Sequence, residues 1–490
     1  MTTKKNAART ALLSALFTAL LVPSAFAGEG MPIDLQTAIA KAFASHADIK
    51  IAEYSLDASR ARYNAVRERF GPSISVTHDL RRSRFWDDDL NAGGGTSYTN
   101  RASLSMPIFN VGLLASEKKA KAGYQSSVLS EELAFIQLKQ ITTNAYYSLL
   151  AAKDAQQVCE QSVSTLEDHL KNVQAQYDVG VVAKVDLLRS EVELTGAQQD
   201  LILAENSYNV AEATLNNIMG IPQDTKLKPM EELGYAAFEK ELPFCIDYAN
   251  LHRLDLQQYA LQVKAAEADL NSAKADWTPT VDGSLGNNWS DGHWPGDKNS
   301  RWSAGITVNM TVFDSGVTKS NVAAAKANLM VAKESYRQFT DQVQLEVRKN
   351  YFNLREAEKR ISTTQVAVAK AEEDYHIAQV RYEAGVGTNT DVLDAQVALT
   401  RARNNFNTAL YDYNTSRSAL QTAMGIEARP EDYKYLTYGE RYKATKALYN
   451  TAAEATDSEK RLKETVKALE KARAERRKAA AAAEKADKNK

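Results

Sequence analysis

Apolar side chains recur along this chain with two different periods. In 113–176 and 317–381 they return every three or four positions, and neither segment contains a proline. This spacing is typical of amphipathic α-helices, and each helix would extend about 95 Å at 1.5 Å per residue. Shorter helices of the same period are predicted at 186–219 and 391–424. Helices longer than about 25 residues indicate a coiled coil or a bundle.

Between the helices the period falls to two. Apolar and polar side chains alternate in two segments within 72–109 and in two more within 279–313, which predicts two β-hairpins. All five tryptophans lie in or beside these hairpins. Alternation with aromatic residues at both strand ends is typical of lipid-facing strands of an outer-membrane barrel, and we favour that interpretation over strands that cover a soluble core. Since four strands cannot close a barrel without an unpaired edge, two or three chains must then pool their strands, giving eight or twelve.

The helical part of the sequence occurs twice. Residues 177–221 and 382–426 align without a gap, and 16 of the 45 pairs are identical. An internal repeat of this length indicates one architecture built from two halves rather than several unrelated domains.

The two ends of the chain carry features that are separate from this repeat. Basic residues precede an apolar run at 11–22, and a small-x-small motif ends at Ala27, so we predict a signal peptide, 1–27, that is cleaved there. The run is shorter than the ~20 residues that a membrane-spanning helix needs. The tail 457–490 is rich in Ala, Lys, Glu and Arg, which indicates a solvated helix or a disordered tail. The net charge of -2 gives no overall attraction to nucleic acid.

Nothing in the sequence supports an enzyme. The six histidines are scattered without metal-ligand spacing, and there is no phosphate-binding loop, nucleophile elbow or dinucleotide fingerprint. We therefore predict no catalytic residue, no cofactor and no metal. Cys159 and Cys245 do not make a disulfide framework in so long a chain, and two unpaired thiols are favoured over a disulfide.

Short motifs accompany both halves of the chain. Tyr-x-x-Gly stands before each helix turn, at 177–180 and 382–385. Phe-Asn-Val-Gly and Phe-Asp-Ser-Gly follow the two hairpins and end at Gly112 and Gly316. With these motifs the chain resembles the TolC family of outer-membrane efflux and type I secretion channels over about residues 33–426.

The resemblance implies a fold that is mainly α with a β-barrel portion. In that fold a homotrimer closes a 12-stranded barrel in the outer membrane, and a long α-helical coiled-coil barrel continues into the periplasm of a Gram-negative bacterium. Family members act as exit ducts, lie in outer-membrane lipid and catalyse no reaction. Their partners are a periplasmic adaptor (membrane fusion) protein and an inner-membrane pump of the RND or ABC class, and not nucleic acid.

The same resemblance divides the chain into segments. They are the signal peptide 1–27, the first structural repeat 28–221, an equatorial insert 222–250, the second structural repeat 251–426, an equatorial C-terminal segment 427–456 and the charged tail 457–490. The insert and the C-terminal segment do not match each other in sequence, and the resemblance implies that they form a belt around the helices.

By resemblance, the periplasmic gate lies at the helix turns, and Asp391 and Asp394 correspond to aspartates that ring the pore. The two are three positions apart, so they share one face of a helix. A ring of such carboxylates from three chains attracts cations and repels anions. The alternative is a local role, with Asp391 as an N-cap and Asp394 as a first-turn acid. Asp186 is the counterpart of Asp391 in the first repeat, but Arg189 replaces the second acid.

Further residues mark the two turns. Tyr177 and Tyr382 either latch neighbouring turns or pack as ordinary coiled-coil residues. Gly180 and Gly385 are expected to end their helices with positive φ. Gly387 stands where the best-known family member has an arginine that pairs across the closed gate, which leaves open how this gate is held shut.

The sequence also leaves the function partly open. A periplasmic coiled-coil scaffold or adaptor protein without a pore would explain the signal peptide and the long helices. It would not explain two matched hairpins that carry every tryptophan. As an exit duct, the chain would pass either small toxic molecules for an efflux pump or unfolded proteins for type I secretion, and nothing in the sequence selects between these cargoes.

Overall fold

The computed structural model of the chain describes residues 30–85 and 93–426, with the single positions 467 and 471. Several predicted features lie outside the described residues. They are the signal peptide 1–27, the segment 427–456, the tail 457–490 apart from those two positions, and Trp86.

Eight helices occur in the described part of the chain. They are α1 (Leu35–Ser45), α2 (Ala47–Glu68), α3 (Val111–Asp178), α4 (Lys184–Met219), α5 (Leu242–His252), α6 (Leu254–Ala275), α7 (Val317–Glu383) and α8 (Asn389–Ala423). Helices α3 and α7 have 68 and 67 residues, and α4 and α8 have 36 and 35 residues. None of these helices, as far as the chain is described, combines the length and the apolar character that a membrane crossing requires.

The first helical stretch is interrupted once. The carboxylate of Asp34 accepts a hydrogen bond from the backbone N–H of Thr37 at 2.8 Å and so caps α1. The sequence between Asp34 and Phe70 contains a good helix cap and predicts one continuous helix, but the structure divides it into two. The backbone at His46 is extended (φ -64°, ψ 136°), which ends α1 and lets α2 begin at Ala47.

Six strands complete the described elements. They are β1 (Met31–Ile33), β2 (Ser73–Phe85), β3 (Gly93–Phe109), β4 (Leu227–Pro229), β5 (Thr280–Asp291) and β6 (Arg301–Asn309). Strands β1 and β4 pair in parallel, and the other four form one antiparallel sheet in the order β2-β3-β5-β6. Within this sheet Ile74 lies opposite Leu104, Leu104 opposite Leu285, and Leu285 opposite Ala304. Because directly opposite residues share a face, one face of the sheet is apolar across all four strands.

The chain packs into two compact units. The first holds the described residues up to His46, with Lys139–Ala237 and Leu354–Ser418. It contains β1, β4, α1, α4, the C-terminal parts of α3 and α7, and most of α8. The fully buried Tyr413 donates a hydrogen bond from its hydroxyl to the carbonyl of Ala236 at 2.6 Å. The turn between α3 and α4 and the turn between α7 and α8 both lie in this unit.

The second unit holds Ala47–Leu138, Phe238–Asn353 and the described residues from Ala419 onward. It contains the four-stranded sheet, helices α2, α5 and α6, and the N-terminal parts of α3 and α7. Arg253, between α5 and α6, is mostly buried and forms an ion pair with Asp255 at 2.6 Å. Since an unpaired buried charge is costly, this pair satisfies the guanidinium inside the unit.

Candidate functional site: the two helix turns

The same backbone geometry closes both turns. After α3, the N–H of Val181 donates to the carbonyl of Gln176 at 2.8 Å, and Gly180 has φ of 78°. After α7, the N–H of Val386 donates to the carbonyl of Arg381 at 2.9 Å, and Gly385 has φ of 73°. A β-carbon at either glycine would have no neighbour within 4 Å, so space is not the constraint. Glycine is favoured at both positions because L side chains rarely adopt this left-handed backbone conformation.

Gly387 is constrained in a different way. Its N–H donates to the carbonyl of Arg381 at 2.9 Å, so the turn closes tightly over the end of α7. A β-carbon at position 387 would lie 3.0 Å from the backbone nitrogen of Tyr382 and 3.1 Å from the carbonyl carbon of Arg381. These are backbone atoms, which cannot move aside cheaply. An arginine at this position would therefore strain the turn, because these backbone atoms would have to give by a few tenths of an ångström.

Asp391 lies inside the first turn of α8 and not at its N-cap. Helix α8 begins at Asn389, so Thr388 holds the N-cap position. The Asp391 carboxylate accepts from the N–H of Thr388 at 2.9 Å, and the Thr388 hydroxyl accepts from the N–H of Asp391 at 3.2 Å. This reciprocal pair is a capping box, and the N-cap alternative for Asp391 is wrong. The hydrogen bonds from Thr388, followed by the positive charge of Arg381, lower the pKa of Asp391 below its ordinary value.

The two aspartates of α8 lie in a groove beside α7. Asp391 and Asp394 are exposed and line this groove, which has a volume of about 290 Å³, together with Asp374 and Arg381 of α7. The structure thus brings both predicted site carboxylates together on one helix face, with a third carboxylate and one guanidinium close by. No motif in the sequence marks Asp374 or Arg381, although their spacing of seven places them on one helix face.

A buried polar network joins three helices behind this groove. Nε2 of the buried His169 lies 2.6 Å from Oδ1 of Asn389, which can only accept, so the imidazole donates. The Asn389 amide nitrogen donates to the carbonyl of Asp186 at 2.9 Å and to the Ser190 hydroxyl at 3.1 Å. Burial lowers the pKa of His169, and its hydrogen bond to Asn389 acts in the opposite direction.

This network was not predicted from the sequence, because no motif indicates it. His169 is one of six scattered histidines, and Asn389 looks like an ordinary residue at a helix start. A weak signal exists in the repeat, where the counterpart of Asn389 is Lys184, a residue that buries poorly. The replacement of a lysine by an asparagine at an otherwise similar turn marks a change from a solvated to a buried position.

The two motif tyrosines occupy unlike positions. Tyr382 is 9% exposed and its hydroxyl donates to Oε1 of Gln176 at 2.8 Å. Its ring lies 5.4 Å from that of His169, in a cluster with Val173 and other apolar residues. Tyr177 is 36% exposed. Within one chain Tyr382 is therefore a packing residue, and a latch between neighbouring chains remains a prediction for both tyrosines.

Asp186 and Arg189 link the first turn to the second. Asp186 lies in the first turn of α4 and contributes its carbonyl to the Asn389 amide, as described above. Arg189 donates from Nη1 to the hydroxyl of Thr390 at 2.7 Å. The position that would hold the second acid of this turn thus holds a cation that reaches across to α8.

The described residues contain no group of three or more His, Cys, Asp or Glu side chains arranged to hold a metal ion. Cys159 and Cys245 are both buried free thiols. The prediction of two unpaired cysteines therefore agrees with the structure.

Two stretches of the chain, 38–221 and 245–426, match the family described as Outer membrane efflux protein. The chain is 24% identical over 380 residues to the probable efflux pump outer membrane protein TtgC of Pseudomonas putida, a match that covers 74% of this chain and 76% of TtgC. It is 23% identical over 425 residues to the outer membrane protein TolC of Escherichia coli, with 82% and 84% covered. The solved structure of the Campylobacter jejuni CmeC outer membrane channel is 17% identical, has a TM-score of 0.71, and is matched over 82% of this chain and 88% of CmeC.

Proposed function

Because the chain belongs to the outer membrane efflux protein family, we propose that three copies of it form the exit duct of a tripartite efflux or type I secretion system. The resemblance to the TolC family is confirmed by this membership and by the similarity to TolC itself. The protein lies in the outer membrane, extends into the periplasm, and is a transport channel rather than an enzyme.

The four-stranded sheet is the observation that carries the proposal. Strands β2 and β6 are its two edges, and its apolar face is solvent-exposed, with Ile74 75%, Val76 76% and Ile306 71% exposed. Such a face suits lipid, but an unpaired edge in lipid leaves backbone N–H and C=O groups without partners at several kcal/mol each. Three chains that join β2 of one to β6 of the next would leave no edge and would give a barrel of twelve strands, wide enough for a channel.

The helices favour the same assembly. Large apolar side chains are exposed on several of the helices, among them Val192 and Ile202 on α4, Phe352 on α7 and Ile141 on α3. Apolar surface of this extent is typical of an interface between subunits. We propose that neighbouring copies cover these side chains in a closed ring of twelve helical columns, with α4 and α8 each part of a column. The repeated order of hairpin, long helix, turn and shorter helix is then two halves of one subunit.

We further propose that the gate of this duct lies at the two helix turns. Asp391 and Asp394 would project into the pore and, repeated in three chains, select for cations. Asp186 would lie near them at the neighbouring turn. Tyr177, which is partly exposed, is better placed than Tyr382 to contact a neighbouring chain. The glycines at 180 and 385 would fix the shape of the turns.

The partners of the duct follow from the family. We propose that a periplasmic adaptor protein and an inner-membrane pump dock on the helical part, and that 222–250 and 427–456 form a belt around it. The alternative of a scaffold without a pore leaves the matched hairpins and their apolar face unexplained. Whether the cargo is a small molecule or an unfolded protein depends on the pump.

Single-channel conductance in a planar bilayer tests the proposal. The purified protein should give steady, cation-selective conductance, and Asp391→Asn/Asp394→Asn should reduce the selectivity. If the double variant conducts with unchanged ion selectivity, the duct proposal stands and the gate assignment is wrong. A protein that never inserts under several refolding conditions would favour the scaffold. Migration as a heat-sensitive trimer in detergent gels without boiling is the independent check of the assembly.

A further inference from the structure

Four charged side chains share the groove between α7 and α8. On α7, Asp374 and Arg381 lie seven positions apart on one face, and on α8 Asp391 and Asp394 lie three apart on the facing side. All four line the same groove of about 290 Å³. From this arrangement we infer that Arg381 is an intrachain counter-ion of the acidic gate and sets how strongly the gate selects for cations. The inference rests on the proposed function, in which Asp391 and Asp394 face the pore.

The backbone of Arg381 is fixed by the turn that follows it. Its carbonyl accepts hydrogen bonds from both Val386 and Gly387 at 2.9 Å. The missing side chain at Gly387 allows this close approach, since a β-carbon there would meet the backbone of Arg381 and Tyr382. The turn therefore fixes the backbone position from which the Arg381 side chain extends beside the groove.

Protonation does not reduce the negative charge of Asp391 near neutral pH. Hydrogen bonds from Thr388 keep the pKa of Asp391 low, so this carboxylate stays ionised near neutral pH. A positive charge in the same groove can then reduce the electrostatic field of the Asp391 carboxylate. Each chain sets two gate carboxylates against one guanidinium, and three chains repeat that ratio around the pore.

The size of the effect follows from Coulomb's law. One unit charge about 6 Å from a permeating ion in water changes its energy by about 0.7 kcal/mol before screening, or about threefold in an equilibrium constant. Salt at 0.1 M, with a screening length of about 10 Å, reduces this moderately. Because the charge acts with opposite sign on cations and anions, removal of Arg381 should raise the cation-to-anion permeability ratio by about threefold or more after screening.

The test is the reversal potential of single channels in a KCl gradient, measured on the full chain. Arg381→Gln removes the charge, and Arg381→Lys retains it. Arg401→Gln is the matched control, because it removes the same charge from an exposed position on α8, ten residues or about 15 Å beyond Asp391. Circular dichroism and the migration of the unboiled trimer show whether each variant folds and assembles.

We expect Arg381→Gln to raise the permeability ratio and Arg381→Lys and Arg401→Gln to leave it near the wild-type value. If Asp391→Asn lowers the permeability ratio but Arg381→Gln leaves it unchanged, the proposed role of Arg381 is wrong and the gate assignment stands. If neither Arg381→Gln nor Asp391→Asn changes the permeability ratio, the gate assignment itself is wrong. Wild-type protein that forms no channel overturns the proposed function. If Arg381→Gln fails to assemble, Arg381→Met, which keeps an unbranched side chain without the charge, takes its place. It should raise the permeability ratio in the same way, and an unchanged ratio in that variant overturns the role of Arg381.

Discussion

The two helix turns of this chain are alike in backbone and unlike in chemistry. Both end a long helix at a glycine with positive φ, and both carry an aspartate in the first turn of the next helix. The repeats differ at several neighbouring positions, three of which change the hydrogen bonds of the second turn. In the order first turn to second turn, the pairs are Val182 and Gly387, Ala183 and Thr388, and Lys184 and Asn389.

Each of the three differences adds a constraint to the second turn. Gly387 allows an additional backbone hydrogen bond to Arg381, Thr388 closes a capping box with Asp391, and Asn389 enters a buried network. At the first turn, Ala183 provides no side-chain hydrogen bond to the helix that it precedes. The identical residues of the repeat thus define the shape of the turn. The residues that differ make the second turn more constrained, and Asp394 in place of Arg189 makes it more acidic. We infer that the second turn is the more firmly held of the two.

The largest expected effect comes from a side chain at position 387. Gly387→Arg puts a β-carbon about 3 Å from two backbone atoms, which must give by a few tenths of an ångström, at a cost of up to about 3 kcal/mol. We expect the variant to melt earlier in circular dichroism and to be cut by protease between residues 381 and 390. The family pattern makes the opposite prediction, that an arginine here would pair across the gate and close it more firmly.

Gly385→Ala is the matched control for that experiment. It lies two residues away, has a positive φ, and meets no atom within 4 Å, so its cost should be only about 1 kcal/mol. Equal destabilisation by both variants would mean that backbone conformation, and not close contact, limits position 387. A Gly387→Arg channel with lower spontaneous conductance and unchanged melting would contradict our account.

The buried network should come next in size. Asn389→Leu removes the acceptor of His169 and the amide donor to Ser190 and to the carbonyl of Asp186, which leaves buried polar groups without these partners. We expect a loss of about 2 kcal/mol, seen as a lower melting temperature of the helical signal. Lys184→Leu at the equivalent, exposed position of the first turn should stay within about 0.5 kcal/mol of wild type. Similar losses at both positions would show that the turns do not differ in this respect.

The same network predicts a dependence on pH. The pKa of His169 is lowered in the folded chain, so the unfolded chain binds a proton more readily. Stability should therefore be fully present above about pH 6.5, the ordinary pKa of histidine, and should fall as the pH drops towards the lowered value. Each unit of pKa difference corresponds to about 1.4 kcal/mol.

Hydrogen exchange of the amides at 386–390, followed between pH 7.5 and 5, measures this effect after correction for intrinsic rates. His169→Gln retains a donor for Asn389 and carries no titrating group, so its protection should change less with pH. The expectation fails if wild type and His169→Gln lose protection in parallel on acidification.

Much of this architecture could be predicted from periodicity alone. The long helices α3 and α7 and all four strands of the large sheet were predicted. A sustained period of 3.6 or 2 in the apolar residues indicates a helix or a strand without any knowledge of the tertiary contacts. The break at His46 was not predicted, since α1 and α2 are separated by a single extended residue and have no Gly or Pro between them. Helix starts were placed two residues late because capping was assigned to the aspartates.

The site was predicted only as far as the repeat and the family motif reach. Asp391 and Asp394 were predicted from the family resemblance, and in the structure they line one groove. Arg381 and Asp374 were not, because on a long exposed helix charged residues are ordinary and only the packing of α8 against α7 selects these two. His169 and Asn389 are separated by 220 positions and pair through the tertiary fold. No local pattern contains that contact.

The smallest expected effect concerns the capping box. Thr388→Ala removes the hydroxyl that accepts from the N–H of Asp391 and should cost about 1 kcal/mol. The reverse change at the first turn, Ala183→Thr, supplies a cap where the backbone is already extended (φ -77°, ψ 154°) and should stabilise by a similar or smaller amount. The melting temperatures of the two single variants and of the double variant, Thr388→Ala with Ala183→Thr, show whether a cap at the first turn can replace the cap at the second. If it can, the double variant should melt near the wild-type temperature, because the two sites share no partner and their effects should add. A double variant that melts well below wild type would mean that the Thr388 cap also holds Asp391 in place for its neighbours in the groove, a role that a threonine in the first turn cannot replace.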